Sequence, residues 1–414
     1  SHLDLRKYKP RIVDITGSVG KTSTKDAVYA VFSKVSYVRK SEKSYNSEIG
    51  LPLTILGCPN GWNNIIVWIK NILKGLSLIV YPHAYPKWLI LEVGVGKAGD
   101  MKRTASWLRT DVVIITAIGE TPVHIEFFNS KKHLIEEKSG LIKTLKKDGL
   151  LILNADDEDV LAMKSKSKNR LLTFGFSPLA NIRGSELNIL NNKKGIPEGI
   201  IFRVEDGDSS LPVAIEGVFG KNHVYASLAA LSTASGLKMN MIAAIDALKS
   251  YDIPPGRMRL LLGIKDSLIV DDTYNSSPFA CETALKTVAE LKSHRKIAVL
   301  GDMLELGRHT VEAHKNIGKI IPENVDVLVV VGPRAQSFKE GALEGGMKAD
   351  NIYEFADSYE AGDFMKNFVK KGDLVLVKGS QGVRMERVVD HILLDQENKS
   401  TLLVRQELEW LLKK

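Results

Sequence analysis

Residues 12–23 carry the side chains best suited to chemistry, and that chemistry is the binding of nucleotide phosphates. The segment reads Ile-Val-Asp-Ile-Thr-Gly-Ser-Val-Gly-Lys-Thr-Ser, which is a β-branched run, a glycine-containing turn and the start of a helix. Such a turn aims backbone N–H groups and a helix N-terminus at phosphate oxygens. Lys21 would reach the β- and γ-phosphates, and the hydroxyl of Thr22 or Ser23 would bind Mg²⁺.

The match to the strict phosphate-loop pattern is incomplete. The first glycine of G-x-x-x-x-G-K-[ST] would fall at Ile15. A glycine turn that merely precedes a helix is therefore the alternative. The strand predicted before the turn and the helix predicted after it favour a nucleotide. The residues expected to hold its phosphates are Thr16, Gly17, Ser18, Val19, Gly20, Lys21, Thr22 and Ser23.

Apolar strands alternate with helices in the first half of the chain and would position this loop. The runs at 11–15, 88–92, 111–116 and 150–153 predict strands, and 132–145 predicts a helix. This alternation predicts an α/β fold with a mostly parallel sheet covered by helices on both faces. Ligands of such sheets bind at the carboxyl ends of the strands. The loop and the residues that follow Leu91 and Thr116 would meet there.

The second half of the chain indicates a further domain. From about residue 182 to 215, short segments separated by turns predict a small antiparallel addition to the first domain. Pro254-Pro255-Gly256 then interrupts the chain. Strands predicted at 268–270, 296–300, 325–331 and 374–377 begin a second, Rossmann-like α/β series. We therefore expect domains at 1–254 and 255–414, with an interdomain cleft suited to a nucleotide and a second substrate.

Composition narrows the class of partner. The chain has 414 residues, of which 44% are hydrophobic and 26% charged, as in globular proteins of two or three domains. Its net charge of +8 suits anionic small molecules, and no basic block interleaved with aromatics indicates nucleic acid. The two cysteines, Cys58 and Cys281, cannot build a disulfide framework, which indicates a reducing, cytoplasmic location.

One segment, 62–81, is unusually apolar, but polar residues interrupt it and argue against a membrane span. Its apolar positions suit an amphipathic helix. They are Ile65, Ile66, Trp68, Ile69, Ile72 and Leu73. We expect this helix to pack against its own domain. A helix on a membrane surface or against a partner is the alternative for residues 62–85.

Six motifs resemble those of the Mur ligase family, in particular its MurF branch. The loop at 16–22 resembles T-G-[ST]-x-G-K-[ST], which also lacks a glycine at the Ile15 position. The other five resemble N-N-x-x-G-[VL]-P, G-R-M, D-D-x-Y-N-A-N-P, G-D-M-x-E-L-G and K-G-S…R-M-E, at residues 46–52, 256–258, 271–278, 301–307 and 378–386. One match would be weak evidence, whereas six in the family's order indicate the superfamily.

The resemblance implies an ATP-dependent ligase that forms an amide bond through an acyl phosphate. The MurF branch adds D-alanyl-D-alanine to a UDP-MurNAc-tripeptide, so the implied partners are a nucleotide-sugar peptide and a dipeptide. Lysines and Mg²⁺, expected as two ions, would stabilise the transferring phosphoryl group. Glu92 is a candidate Mg²⁺ ligand at a strand end, and His124 sits where the family places a metal-binding histidine. On residue type alone, such a Glu is more often solvated and such a His more often structural.

Lys138 is the most specific prediction from the resemblance. It lies 14 residues after His124, where Mur ligases carry a lysine that CO₂ converts to a carbamate able to bind a second metal. Carbamylation requires the neutral amine, so nearby cations or desolvation must lower the pKa of this lysine. Without the resemblance it would be one of many solvated lysines in 131–147. The implied catalytic residues are Lys21, Glu92, His124 and Lys138, with Thr22 as a further metal ligand.

The resemblance also assigns residues of the second domain and the hinge. Nucleotide contacts would come from Asn222, Arg257, Asp272, Tyr274 and Asn275, with Arg257 closing over the phosphates. Substrates would be held by Asn46, Lys378 and Ser380. Closure about Gly256 would exclude water and protect the acyl phosphate from hydrolysis.

Departures from the family pattern leave the acceptor open. The E-x-G-A-N-H-x-G-E segment reads Glu92-Val-Gly-Val-Gly-Lys-Ala-Gly-Asp100, and G-[RK]-H-N reads Gly220-Lys-Asn-His223. Because the loop begins at residue 16, we expect the MurF domain that grips the uridine nucleotide to be absent, either because the chain was trimmed or because it is a shorter relative. A separate partner would then replace that domain. The same chemistry on another acceptor, as in folylpolyglutamate synthases, is the alternative. A non-catalytic ATP-binding protein would not need the metal residues, and a GTPase would carry Asn-Lys-x-Asp.

Overall fold

The computed structural model describes residues 2–42, 48–119, 128 and 130–411, and a nine-stranded sheet organises their first half. Its strands are β1 (Arg11–Thr16), β2 (Val38–Lys40), β3 (Trp88–Glu92), β4 (Thr110–Ile115), β5 (Leu145–Asn154), β6 (Arg170–Gly175), β7 (Ile182–Asn191), β8 (Pro197–Asp206) and β9 (Ser209–Glu216). Their spatial order is β2-β3-β1-β4-β5-β6-β7-β8-β9. The strands from β2 to β7 in this order pair in parallel, and β8 and β9 extend the sheet as an antiparallel hairpin.

A second, six-stranded sheet follows. Its strands are β10 (Arg259–Gly263), β11 (Ser267–Asp272), β12 (Arg295–Gly301), β13 (Val327–Val331), β14 (Ile352–Phe355) and β15 (Asp373–Lys378). They lie in the order β10-β11-β15-β12-β13-β14, and all pairs are parallel except β10 with β11. The predicted α/β class, with a mostly parallel first sheet and a Rossmann-like second one, is confirmed.

Helices connect the strands and cover the sheets. They are α1 (His2–Tyr8), α2 (Lys21–Ser33), α3 (Gly50–Leu56), α4 (Ile65–Val80), α5 (Asp100–Trp107), α6 (Lys131–Ser139), α7 (Glu158–Ala162), α8 (Lys221–Gly236), α9 (Met241–Leu248), α10 (Pro278–Glu290), α11 (Thr310–Ile320), α12 (Gln336–Glu344), α13 (Ser358–Phe368), α14 (Glu386–Ile392), α15 (Lys399–Leu402) and α16 (Leu408–Leu411). The helix predicted at 132–145 was too long, because Gly140–Thr144 tightens into a 3-10 turn and β5 begins at Leu145.

The central strand β1 is buried on both faces. Val13 and Ile15 join one apolar cluster that includes residues of α2 and α8, while Ile12 joins another with Leu51 and Leu89. Parallel strands covered on both sides have this near-continuous apolar pattern. Packing on both faces holds the carboxyl end of β1 rigidly where the phosphate loop starts.

The expectation that α4 buries its apolar face is wrong. Five of its six predicted apolar positions are more than half exposed, and Trp68 is partly buried. The inward side buries Leu78 and Asn71. The Asn71 amide donates to the Pro59 carbonyl at 2.8 Å, and Lys74 Nζ donates to the Gly57 carbonyl. Among the helices in the described part of the chain, none is long and apolar enough to cross a membrane.

Candidate active site

Two glycines shape the phosphate loop between β1 and α2. Gly17 has φ of 147°, and a Cβ added there would lie 2.0 Å from Thr116 Oγ1. Gly20 has φ of 86° and precedes α2 without any side-chain cap on the first N–H groups of that helix. A left-handed residue followed by uncapped N–H groups suits an anion at the start of α2.

Thr116 and Ala117, which follow β4, form hydrogen bonds with this loop. The N–H groups of Ser18 and Val19 donate to the Ala117 carbonyl at 2.6 and 3.1 Å, and Thr116 Oγ1 donates to the Val19 carbonyl at 2.6 Å. Two of the N–H groups assigned to phosphates from the sequence are therefore engaged within the protein. The start of α2 is left as the main source of backbone donors.

Two lysines converge on one loop carbonyl. Lys21 Nζ donates to the Gly17 carbonyl at 3.0 Å, and Lys138 Nζ, on the last turn of α6, donates to the same oxygen at 2.9 Å. Burial lowers the pKa of Lys138 well below its ordinary value, and the charge of Lys21 lowers it further. Burial also lowers the pKa of Lys21, although Glu92 opposes that shift. Burial and the neighbouring charge of Lys21 therefore both shift Lys138 toward its neutral form.

Thr22 and Glu92 form a buried oxygen pair beside these lysines. Thr22 Oγ1 donates to Glu92 Oε2 at 3.0 Å, and the Glu92 side chain is 1% exposed at the end of β3. Hydroxyl and carboxylate oxygens are ligands that Mg²⁺ accepts, and Mg²⁺ commonly takes few protein ligands beside substrate phosphates. No group of three or more His, Cys, Asp or Glu residues suited to a metal occurs within the described ranges. We call Lys21, Thr22, Glu92 and Lys138 the loop cluster.

The hinge reaches the loop cluster through Arg257. Its guanidinium lies 3.9 Å from the ring centroid of Tyr274, and Nη2 donates to Thr22 Oγ1 at 3.4 Å. Arg257 Nε is buried without a hydrogen-bond partner among the described residues, as are Ser18 Oγ and Thr16 Oγ1. These buried polar atoms around the phosphate loop fit the phosphates of a bound nucleotide.

His223 holds Arg257 in place. Its Nε2 donates to the Arg257 carbonyl at 2.7 Å, and Nδ1 lies 3.2 Å from the Tyr251 hydroxyl. Burial lowers the pKa of His223 to about 4, so the ring stays neutral. The predicted nucleotide residue Asn222 precedes it, half-buried on the first turn of α8.

A hydrogen-bonded group beside Arg257 consists of Asp272, Asn275 and Lys378. Lys378 Nζ is buried and donates to Asp272 Oδ2 at 2.6 Å and to the Asn275 carbonyl at 2.9 Å. Asp272 Oδ1 accepts the N–H of Met258, the residue after Arg257, at 3.2 Å. Ser380 Oγ, also buried, accepts the Leu304 N–H at 2.8 Å. Lys378 and Ser380, which were predicted to bind substrate, thus make hydrogen bonds within the second half of the chain.

Two carboxylates that the sequence did not single out organise the loops around the site. Glu137, next to Lys138, accepts the N–H groups of Gly99 and Met101 at 3.0 and 2.8 Å. Asp157 accepts the N–H groups of Ile118 and Gly119 at 2.7 and 3.2 Å. The acidic pair after β5 could have indicated Asp157, because such residues often cap helices, but nothing local marks Glu137.

The residues after Glu92 that differ from the family pattern, Gly96, Lys97 and Asp100, form a turn closed by hydrogen bonds. Asp100 accepts the N–H groups of Gly96 and Lys97, each at 2.9 Å, and its other oxygen pairs with Arg103. The predicted residues Asn46 and His124 lie outside the described residues.

Of the other predicted site residues, the structure brings the loop cluster together with Arg257 and Tyr274. Asp272, Asn275 and Lys378 are bonded to one another and, through Met258, to the Arg257 turn.

Two family profiles match this chain. The profile described as "Mur ligase middle domain" matches residues 15–68 and 74–234, and that described as "Mur ligase, glutamate ligase domain" matches residues 256–381. The chain belongs to the Mur ligase family.

Individual relatives and solved structures show which members of that family this chain resembles. The UDP-N-acetylmuramoyl-tripeptide--D-alanyl-D-alanine ligase of Bacillus subtilis (strain 168) is 27% identical over 391 residues, covering 94% of this chain and 77% of that protein. The structure of MurF ligase from Thermotoga maritima in complex with ADP superposes with a TM-score of 0.77 at 26% identity, covering 96% of this chain and 83% of that one. Mycobacterium tuberculosis folylpolyglutamate synthase gives a TM-score of 0.67 at 14% identity over 94% and 93% of the two chains, which is a likeness of fold alone.

Proposed function

We propose that this chain is an ATP-dependent ligase that joins D-alanyl-D-alanine to the carboxylate of a UDP-MurNAc-tripeptide. The observation that carries the proposal is the loop cluster. It places two amines, a hydroxyl and a carboxylate around the first turn of α2. The relatives named for this reaction align over nearly the whole chain, which supports the choice of substrates.

The reaction needs a better leaving group than oxide on the acceptor carboxylate. In the first step a carboxylate oxygen attacks the γ-phosphorus of ATP, and the bond to the β–γ bridging oxygen breaks to release ADP. In the second step the amine of the dipeptide attacks the acyl carbon, loses a proton to a base, and expels inorganic phosphate. Lys21 and the N-terminus of α2 would stabilise the charge that spreads over the transferring phosphoryl group.

The donor set fits ATP with Mg²⁺. Thr22 and Glu92 would hold Mg²⁺, which neutralises phosphate charge when bound. Arg257, whose buried Nε lacks a partner among the described residues, would close over the phosphates from the hinge, with Tyr274 supporting its guanidinium. Asn222 would contact the nucleotide from α8. Asp272, Asn275 and Lys378 would hold the Arg257 turn in position.

Lys138 supports the proposed carbamate. Its neutral amine can add to the carbon of CO₂ and release one proton, which yields an anion in place of a cation. The ammonium of Lys21, which donates to the same carbonyl, would stabilise that anion. We propose that this carbamate and His124 hold a second metal ion, and that Asn46 and Ser380 contribute to substrate binding. A cytoplasmic location suits two buried cysteines that are not paired with each other.

Phosphate release from ATP with Mg²⁺ tests the function. We expect release only when UDP-MurNAc-tripeptide and D-alanyl-D-alanine are both present. Lys21→Ala should abolish it, whereas Lys286→Ala, on an exposed turn of α10, should leave it unchanged. Release that depends instead on a folate acceptor and glutamate would favour the alternative acceptor. Release without any acceptor would contradict a ligase.

A further inference from the structure

Helix α4 presents an uncovered apolar face. We call this surface the α4 face. At about 100° per residue, its members on the helix fall within an arc of about 120°, which is one side of the helix. They are Ile65, Ile66, Ile69, Ile72, Leu73, Leu76 and Val80, all between 51% and 72% exposed, with Trp62 and Tyr81 beyond the two ends at 53% and 63%. Exposed apolar surface this contiguous usually marks a binding surface.

The outward direction of this face is fixed by the contacts of α4 with its own domain. Asn64 caps the helix by accepting the N–H groups of Ile66 and Val67. At the other end, Lys7 Nζ donates to the carbonyls of Leu78, Ile79 and Tyr81 at 2.6 to 2.9 Å. With Asn71 and Lys74 bonded to the 57–59 turn, the helix is held at both ends and in the middle, and it cannot roll its apolar side inward without breaking these bonds.

The charged residues of α4 itself are Lys70 and Lys74, and both are exposed. From residue 49 to residue 91 the chain contains no Asp or Glu. Arg6 and Lys9 on the adjoining α1 segment add exposed cations. On the groove side of the helix lie Asp4, which is buried, and Glu48, which pairs with Arg103. The positive charge complements an anionic surface. It opposes the pairing of two α4 helices from separate copies, because each helix carries Lys70 and Lys74 and no carboxylate.

The dimensions and the end residues match a helix that lies in a membrane interface. At 16 residues, α4 is about 24 Å long, shorter than the roughly 30 Å hydrocarbon core of a bilayer. Trp62 and Tyr81 stand at its two ends, and these aromatic types prefer the level of the lipid headgroups. A groove of 410 Å³ beside the helix, lined in part by Ile72, Leu76 and Ile79, adds apolar surface to the face.

We propose that the α4 face docks this enzyme on a membrane surface that contains anionic lipid. The helix would lie in the interface plane with Ile69, Ile72 and Leu76 among the acyl chains and the flanking cations at the headgroups. This docking is independent of the ligase reaction, since it uses none of the residues of the candidate active site.

Co-sedimentation of the 414-residue chain with vesicles tests the proposal. Vesicles of phosphatidylcholine and phosphatidylglycerol, at roughly three to one, should bind the protein at least about tenfold more strongly than pure phosphatidylcholine. Ile72→Glu/Leu76→Glu should lower the partition coefficient at least about tenfold with unchanged thermal stability, because both side chains are exposed. The control Leu179→Glu/Ile242→Glu replaces apolar residues elsewhere that are also more than half exposed, and it should bind like the wild type.

Three results would overturn the proposal. The first is wild-type protein that does not sediment with either vesicle. The second is equal loss of binding in the control variant. The third is a dimer in sedimentation velocity that Ile72→Glu/Leu76→Glu dissociates while vesicle binding is absent, which would assign the face to a protein contact.

Discussion

Lys138→Met should remove a pH dependence of stability that the structure assigns to one buried amine. Lys138 is 2% exposed, beside Lys21, and both burial and that charge lower its pKa from the ordinary 10.5. Between the lowered value and 10.5 the unfolded chain binds one proton more than the folded protein. The free energy of unfolding therefore rises with pH across this window, by up to about 1.4 kcal/mol per pH unit. Methionine at this position abolishes that contribution.

The substitution itself should cost little. The Gly17 carbonyl keeps its bond from Lys21, so the lost hydrogen bond costs only about 1 kcal/mol, and methionine fills a similar volume. Under the proposed role, phosphate release should nevertheless fall by about 100-fold or more. A folded, inactive variant would separate the chemistry of the amine from its packing.

Urea unfolding in CO₂-free buffer at about pH 8 and about pH 9.5 measures the slope. The stability of the wild type relative to Lys138→Met should increase between the two. Parallel pH profiles would refute a neutral Lys138. Added bicarbonate should then stabilise the wild type and not the variant, because a carbamate forms only on the lysine of the folded site. Equal stabilisation of both would refute the carbamate.

Three further substitutions test the scaffold of the site. Gly17→Ala should lower both the melting temperature and the ATP affinity in calorimetry, because its Cβ would lie 2.0 Å from Thr116 Oγ1. The control Gly99→Ala has no atom within 4 Å of the added Cβ and should cost only the strain of positive φ, about 1–2 kcal/mol. Equal losses of stability in the two variants would contradict the clash. Asp272→Asn should destabilise by about 3 kcal/mol in urea titration, because it leaves Lys378 buried without its counter-charge, and a loss near zero would contradict the pairing. Arg257→Met should raise the KM for ATP about tenfold while the protein stays folded, and an unchanged KM in the phosphate assay would exclude Arg257 from the phosphate contacts.

Much of the fold could be predicted because its signals are local. Alternation of apolar strands with helices marks a parallel α/β sheet, and the Gly-Lys-Thr turn marks the start of α2. The change of pattern near residue 182 matches the antiparallel strands β8 and β9. The end of α6 could not be placed, because the 3-10 turn at Gly140–Thr144 has good helix formers on both sides.

The site was less accessible from sequence alone. Nothing local shows that Lys138 shares the Gly17 carbonyl with Lys21, because the two are 117 positions apart; only the family offset indicated Lys138. Glu137 was missed because its partners are backbone N–H groups, which any sequence supplies. The orientation of α4 was predicted wrongly because apolar periodicity does not show that Asn71 and Lys74 bond the carbonyls of Pro59 and Gly57. The roles of Asn46 and His124, which lie outside the described residues, stay predictions.

Oxygen transfer during one turnover shows whether the acceptor carboxylate passes through an acyl phosphate. The tripeptide acceptor is labelled with ¹⁸O in both oxygens of the reacting carboxylate and incubated with ATP, Mg²⁺ and D-alanyl-D-alanine, and the products are read by mass spectrometry. An acyl-phosphate ligase must leave one ¹⁸O in the inorganic phosphate and one in the new amide carbonyl. Phosphate that carries no ¹⁸O would exclude an acyl-phosphate intermediate. Release of phosphate without a pentapeptide product would exclude the proposed ligase reaction.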